Sequence, residues 1–270
     1  MKKQLLLKGV LFSAIVIFTF ACKKENNIEK VEPVNPEESK GLTSAIVGKW
    51  TIASETNVSS KKQDQDKILF IEFFKDSTYI VSMSGGTTLT GKYGVTDTTE
   101  INIAELGTLS DIRIEDKILN FKFSTQGGSI LITANKAPEI PASEETTKIC
   151  RTWKLVGENF SPVTFGWNGE YDTHLRFSTS GTYLLTVRNL QDSVAAIRTT
   201  DWKWHPDLPN TFQYTGYNYT IDQTLTNSAE IIELTSNSLV IKDWFYIYQI
   251  VGDKREIVLT SQIQTFVPVE

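Results

Sequence analysis

The sequence has few of the residues that build metal or thiol chemistry. Its 270 residues include two cysteines and two histidines. His174 and His205 are the only histidines, so we expect two surface histidines and no zinc site, since zinc needs three or four ligands together. The chain contains no phosphate-binding loop, dinucleotide fingerprint, zinc-protease motif or Gly-x-Ser-x-Gly. We therefore expect no metal and no cofactor.

Positive charge is also scarce. Lys and Arg number 27 against 32 Asp and Glu, which gives a net charge of −5. Binding of nucleic acid depends on clustered basic residues that neutralise phosphates. We expect no nucleic-acid partner. The hydrophobic fraction of 40% is high enough for packed cores and excludes a wholly disordered chain.

No apolar run is long enough for an ordinary membrane-spanning helix, which needs about 20 residues. Residues 9–21 form an uncharged stretch of 13 residues that follows Lys2, Lys3 and Lys8. A basic start before a short apolar segment is typical of a secretory signal. We expect residues 1–21 to be a signal peptide.

Cys22 follows directly after Ala21, and the chain turns polar at Lys23. This order resembles the signal of bacterial lipoproteins, although Thr19 stands where that motif usually has Leu. The resemblance implies cleavage before Cys22, its lipidation, and anchoring in the bacterial outer membrane on the periplasmic or the surface side. The alternative is an ordinary secretory signal with a chance cysteine. Cys150 would remain as a lone cysteine, which we expect to pack as a small apolar residue.

Two polar segments divide the rest of the chain. Residues 22–41 are rich in charge and lack aromatic residues, which predicts a flexible tether. Residues 135–147 contain Pro138 and Pro141 and predict a linker. The expected domains are residues 42–134 and 148–270.

The two domains repeat the same order of landmarks, which predicts a duplicated domain. The segment that contains Tyr93 corresponds to the one that contains Trp202 and Trp204. The other corresponding residues are Trp50 and Trp153, Phe73 and Phe177, Tyr79 and Tyr183, and Leu119 and Leu239.

Apolar residues alternate within each copy, as at Leu69, Ile71 and Phe73. A period of two predicts strands with one apolar face, and the short polar turns between them predict hairpins. Short helical runs precede each leading Trp, at residues 42–47 and 144–149. We predict an all-β protein of two tandem small antiparallel β-barrels, each preceded by a short helix.

A short helix, then Gly-Lys-Trp50 or Arg-Thr-Trp153, then a hairpin from Phe to Tyr and further paired strands resembles the lipocalin-like, or calycin-like, domains of Bacteroidota lipoproteins. The resemblance covers residues 42–134 and 148–250. It implies an up-and-down barrel and supplies no catalytic residue.

Aromatic residues are distributed unevenly, because five of the six Trp lie in the second copy. Small barrels often hold a ligand at the mouth, where aromatic side chains stack on it. Core packing is the open alternative, above all for Trp202 and Trp204. The candidate ligand-binding residues are Trp167, Tyr171, Trp202, Trp204, Tyr214, Tyr217 and Tyr219.

Two functions compete. The first is a membrane-anchored, non-enzymatic binding or interaction module that holds a glycan, a small hydrophobic ligand or a partner protein in the second barrel. The second is an envelope hydrolase that acts on glycan or lipid through carboxylates of that barrel. A hydrolase should place two carboxylates across a cleft, whereas a binding protein should show an apolar or aromatic concavity without them. A third reading makes the first copy a spacer.

Overall fold

A computed structural model describes residues 36–57, 67–159, 171–189, 191, 193–218, 223–251 and 254–269. The described residues contain two helices and sixteen strands. They are α1 (Pro36–Ile46), β1 (Gly48–Asn57), β2 (Ile68–Phe73), β3 (Thr78–Met83), β4 (Thr88–Val95), β5 (Ile101–Ile103), β6 (Gly107–Glu115), β7 (Ile118–Thr125), β8 (Gly128–Lys136), α2 (Glu144–Ile149), β9 (Thr152–Asn159), β10 (Tyr171–Phe177), β11 (Thr182–Asn189), β12 (Val194–Trp204), β13 (Thr211–Asn218), β14 (Gln223–Leu234), β15 (Leu239–Val251) and β16 (Lys254–Pro268).

The strands form two closed eight-stranded antiparallel barrels. In each barrel every strand pairs with the next in sequence, and the last strand returns to the first. Barrel 1 contains β1–β8 and closes between β1 and β8, and barrel 2 contains β9–β16 and closes between β9 and β16. The predicted all-β fold of two tandem barrels is confirmed.

Each barrel is preceded by a helix that is fixed to it by a tryptophan. The indole N–H of Trp50 donates to the carbonyl of Ile46 at 2.6 Å, and that of Trp153 donates to the carbonyl of Ile149 at 2.9 Å. Both indoles are fully buried. The hydroxyl of Ser143 accepts from the backbone N–H of Thr146 and caps α2. The equivalent tryptophans therefore attach equivalent helices to the two barrels.

Helix α1 begins at Pro36, which is earlier than the sequence suggests. Residues 36–41 were expected to belong to a flexible tether, with the helix starting near residue 42. A proline at the first helical position and the acidic residues that follow it favour a helix start at this point.

One strand departs from the expected alternation. Leu69 is 48% exposed, although Ile71 and Phe73 point into the core as predicted. The pairing of β2 with β3 shifts between Ile68 and Phe70. A β-bulge places an extra residue in one strand and reverses the side on which its side chain lies. Leu69 therefore faces outward.

The duplication extends to single hydrogen bonds. The hydroxyl of Tyr93 donates to the carbonyl of Phe74, and the indole of Trp202 donates to the carbonyl of Ser178. The backbone N–H of Tyr93 donates to Ser77, and that of Trp202 to Gly181. Both turn residues have a positive φ, of 60° and 77°. Tyr93 therefore corresponds to Trp202.

The two barrels pack against each other, and Asn35–Glu270 form one compact unit. Lys49 of barrel 1 makes an ion pair with Asp201 of barrel 2 at 2.6 Å. Arg176 of barrel 2 pairs with Asp76 at 2.9 Å, and its guanidinium lies 3.6 Å from the centre of the Phe74 ring. Apolar side chains from both barrels fill the contact: Phe70, Phe74, Ile80, Leu184 and Ile197.

The connection between the barrels is held in place at two points. The backbone N–H of Ala137 donates to the carbonyl of Lys49, and that of Ile140 donates to the carbonyl of Thr179. The segment expected as a linker, residues 135–147, thus contacts both barrels. Its first two residues end β8, and its last four begin α2.

Candidate ligand-binding site

Residues of barrel 2 form most of the lining of a cavity of about 650 Å³ that is open to solvent. Leu175 and Phe266 belong both to the buried core of this barrel and to the cavity lining, so the cavity begins where the core ends. Strands β12 and β13 pair only between Trp202–Trp204 and Phe212–Tyr214. Beyond that pairing Thr200 and Thr215 line the cavity. The cavity therefore reaches the place where the backbone pairing of these two strands ends and the hydroxyl of Thr200 donates to the carbonyl of Thr215.

Strand pairing assigns an equivalent in barrel 1 to each inward position of barrel 2. Leu119 and Leu239 are fully buried equivalents, and four residues further along their strands lie Phe123 and Asp243. Phe123 pairs with Leu109 and Ile130, and Asp243 pairs with Ala229 and Gln262. The same register around both barrels makes Asp243 the counterpart of Phe123.

Five apolar inward positions of barrel 1 carry polar side chains in barrel 2. Leu89, Ile103, Phe123, Ile130 and Ile132 correspond to Arg198, Tyr214, Asp243, Gln262 and Gln264. The five barrel 1 residues all belong to its hydrophobic core or pack against it. The five barrel 2 residues all line the cavity.

The two barrels also differ in what the equivalent tyrosines Tyr79 and Tyr183 pack against. The ring of Tyr79 lies directly over Gly91, where an added Cβ would stand 2.9 Å from it. The equivalent of Gly91 is Thr200, which pairs with Tyr183 as Gly91 pairs with Tyr79. The side chain of Thr200 leaves no such space, and the ring of Tyr183 stacks on Tyr214 instead, at 5.2 Å and 14°.

Asp243 is the anionic group of the cavity. Its Oδ2 accepts from the hydroxyl of Tyr214 at 2.7 Å, and its Oδ1 accepts from the backbone N–H of Trp244 at 2.9 Å. Burial raises the pKa of Asp243 to about 6, against the opposing effect of these two hydrogen bonds. Burial and the charge of Asp243 also raise the pKa of Tyr214, so its hydroxyl keeps its proton and acts as the donor.

The structure separates the predicted site residues. Tyr214 lines the cavity. Trp202 is 3% exposed and belongs to the core. This agrees with the alternative that Trp202 packs in the barrel core. Trp204 packs edge-to-face on Trp202 at 5.5 Å and donates to the hydroxyl of Thr146 in α2. It lines a separate depression of about 460 Å³ beside α2.

The other predicted residues fall elsewhere. Tyr171 is exposed at the start of β10 and is not part of the cavity lining. Tyr217 lies in β13. Trp167, Tyr219 and the lipidation residue Cys22 lie outside the described residues.

Four polar residues of the cavity were not predicted from the sequence: Arg198, Asp243, Gln262 and Gln264. The sequence could have indicated Asp243, because aligning Leu119 with Leu239 makes Asp243 the equivalent of Phe123. The inward direction of the others depends on strand register. The concavity expected for a binding protein was apolar or aromatic, and the cavity is more polar than that.

The described residues show neither a cluster of metal ligands nor a reactive thiol. They contain no group of three or more His, Cys, Asp or Glu arranged to hold a metal ion. Nε2 of His174 lies 3.5 Å from Asp172. Cys150 packs against the core of barrel 2, and burial raises the pKa of its thiol to about 12. Such a thiol is a poor nucleophile at neutral pH.

Comparison with known proteins gives little further information. No model of a protein family matches the chain, and no curated protein matches it. Among solved structures, the isotype 1 transferrin binding protein B from serogroup B Neisseria meningitidis is 10% identical, with a TM-score of 0.23. The match covers 83% of this chain and 44% of that protein, so the chain spans less than half of its length. A similarity at this level assigns neither a function nor a ligand.

Proposed function

We propose that this chain is a lipid-anchored envelope lipoprotein of the lipocalin-like type that acts as a non-enzymatic binding module. Its ligand occupies the cavity of barrel 2. The observation that carries the proposal is the contrast between the two barrels: equivalent inward positions are apolar in barrel 1 and polar in barrel 2.

This contrast favours binding because polar groups inside a barrel reduce stability unless they are hydrogen-bonded. A filled apolar core, as in barrel 1, is the more stable solution for the same fold. Eight-stranded barrels are wide enough to hold one small ligand, and about 650 Å³ lies within the usual range of ligand pockets. The polar lining is thus explained by recognition of a ligand.

The cavity supports binding over hydrolysis. Glycoside hydrolysis uses two carboxylates that flank the bond to be cleaved. Asp243 is the one carboxylate among the described residues that line the cavity. The envelope hydrolase proposed as the alternative would need a second carboxylate there.

Barrel 1 acts in this proposal as a rigid base for barrel 2. Its contact through Lys49, Asp76 and Phe74 buries apolar side chains of both barrels. A spacer would need no such contact. Barrel 1 also lies close to the ligand site, since Gly86 is part of the cavity lining.

Anchoring through Cys22 in the outer membrane, on the periplasmic or surface side, is the second part of the proposal. None of the helices among the described residues is long and apolar enough to cross a membrane. Cys22→Ala should move the protein from the membrane fraction to the soluble fraction. Unchanged fractionation would contradict a lipid anchor.

The binding function is tested by restoring the barrel 1 residues in barrel 2. The double variant Gln262→Ile, Gln264→Ile should replace two hydrogen-bonding groups of the lining with apolar side chains that this fold accepts at equivalent positions. After incubation with a small-molecule extract of bacterial envelopes, native mass spectrometry should show a bound mass on the unaltered protein and at least tenfold less on the double variant. Gln126→Ile, in an exposed turn of barrel 1, is the control and should bind as the unaltered protein does. Equal loading of all three proteins would contradict the cavity site.

A further inference from the structure

The cavity of barrel 2 presents hydrogen-bonding groups of every kind. The carboxylate of Asp243 accepts, the guanidinium of Arg198 donates, and the amides of Asn227, Gln262 and Gln264 do both. These five side chains come from β12, β14, β15 and β16. A ligand in the cavity therefore meets donors and acceptors on several sides.

Asp243 has capacity left for a ligand. Its Oδ2 accepts a hydrogen bond from the hydroxyl of Tyr214, and its Oδ1 accepts one from the backbone N–H of Trp244. A carboxylate oxygen has about two lone-pair sites. The side chain is also partly accessible, because it borders the cavity. A hydroxyl group of a ligand is suited to complete this set.

The lining disfavours an apolar ligand such as a fatty acyl chain. Such a chain offers no hydrogen-bonding group to Asp243, Gln262 or Gln264, and each polar group that it buries without a partner costs about 1–3 kcal/mol. A ligand with a net charge is not favoured either, because the cavity carries one acidic and one basic side chain.

The remaining class is a neutral molecule with many hydroxyl groups. We propose that the cavity of barrel 2 binds a carbohydrate of one or two sugar rings. Sugar hydroxyls donate to Asp243 and accept from Arg198 and the glutamine amides. The stacked rings of Tyr183 and Tyr214 supply an aromatic surface at the same cavity for the C–H groups of a ring. This inference rests on the proposed binding function and narrows it to one ligand class.

The test is calorimetric titration of the mature, full-length chain with glucose, N-acetylglucosamine, maltose, cellobiose and chitobiose, and with palmitate as the apolar probe. At least one saccharide should bind with a stoichiometry of one. Asp243→Asn should weaken that binding at least tenfold, because an amide nitrogen replaces one acceptor oxygen. Asp207→Asn, at an exposed loop position, is the matched control and should bind as the unaltered chain does.

A second variant guards against misfolding of the first. Gln264→Ile introduces the residue that barrel 1 carries at the equivalent position and should reduce saccharide binding without lowering the melting temperature. If palmitate binds and no saccharide does, the carbohydrate proposal is overturned and the binding function stands. If neither binds and native mass spectrometry finds no bound mass, both fail. Saccharide binding that neither Asp243→Asn nor Gln264→Ile weakens would overturn the assignment of the site.

Discussion

At the scale of the residue, Asp243 places a carboxylate where the first copy has an aromatic core residue. Its barrel 1 equivalent, Phe123, is a buried core residue. A carboxylate placed in the same sheet position must keep partial access to water or find hydrogen bonds. It has both, through the cavity and through Tyr214. The difference between Phe123 and Asp243 thus replaces a packed core side chain of barrel 1 with a polar group of the cavity in barrel 2.

The raised pKa of Asp243 predicts an unusual pH dependence. The pKa is about 6 in the folded protein against an ordinary value of 3.8. Between these values the folded state holds the proton more tightly than the unfolded state. The contribution of Asp243 to stability is therefore greatest below pH 3.8 and is lost as the pH rises through 6, by about 2–3 kcal/mol at most.

The asparagine in Asp243→Asn does not titrate, so the variant should not lose stability as the pH rises through 6 in the way that the unaltered protein does. Urea denaturation at steps from pH 4 to pH 7 should show the variant gaining stability relative to the unaltered protein as the pH rises. If the free energies of unfolding of the two proteins change in parallel with pH, the pKa of Asp243 is not raised in the folded state.

At the scale of the element, the best predicted features are those that repeat. The period of two at Ile71 and Phe73 identified a strand, and the landmark pair Trp50 and Trp153 identified the duplication. These signals depend on neighbouring residues along one strand, which the sequence displays directly. The bulge that turns Leu69 outward depends on the partner strand β3, so alternation alone could not show it.

The two leading tryptophans offer a matched pair of variants. Trp50→Phe and Trp153→Phe each remove one buried indole donor and leave the carbonyl of Ile46 or Ile149 without that partner. Each should lower the free energy of unfolding by about 1–3 kcal/mol, because the two indoles occupy equivalent sites. Chemical denaturation measures both. A neutral result for either one would contradict the equivalence of the helix attachments.

At the scale of the whole molecule, the contact between the barrels makes one body from two repeated domains. Arg176 is central to it, because its guanidinium pairs with Asp76, donates to the hydroxyl of Thr78 and stacks on Phe74. A guanidinium that stacks and hydrogen-bonds at once cannot be replaced by a simple point charge.

Arg176→Ala should weaken the contact by about 1–2 kcal/mol, since it removes the ion pair with Asp76, the hydrogen bond to Thr78 and the cation–π contact with Phe74. Differential scanning calorimetry should show a lower melting temperature, with the transitions of the two barrels separating. Lys154→Ala is the control, because Lys154 pairs with Asp172 within barrel 2 and both side chains are partly exposed. Surface pairs of that kind contribute about 0–1 kcal/mol. Equal effects of the two variants would contradict a structural role for the contact of Arg176.

The sequence by itself determined the all-β class, the division into two copies and the helix before each barrel, because periodicity, breaks and repeats are local along the chain. Only the tertiary structure decided where the candidate site lies. Arg198, Asp243, Gln262 and Gln264 come from three strands and meet because barrel closure brings their inward faces together. Conspicuous aromatic residues such as Trp202 went to the core instead, since a large apolar side chain gains most from burial wherever the register turns it inward.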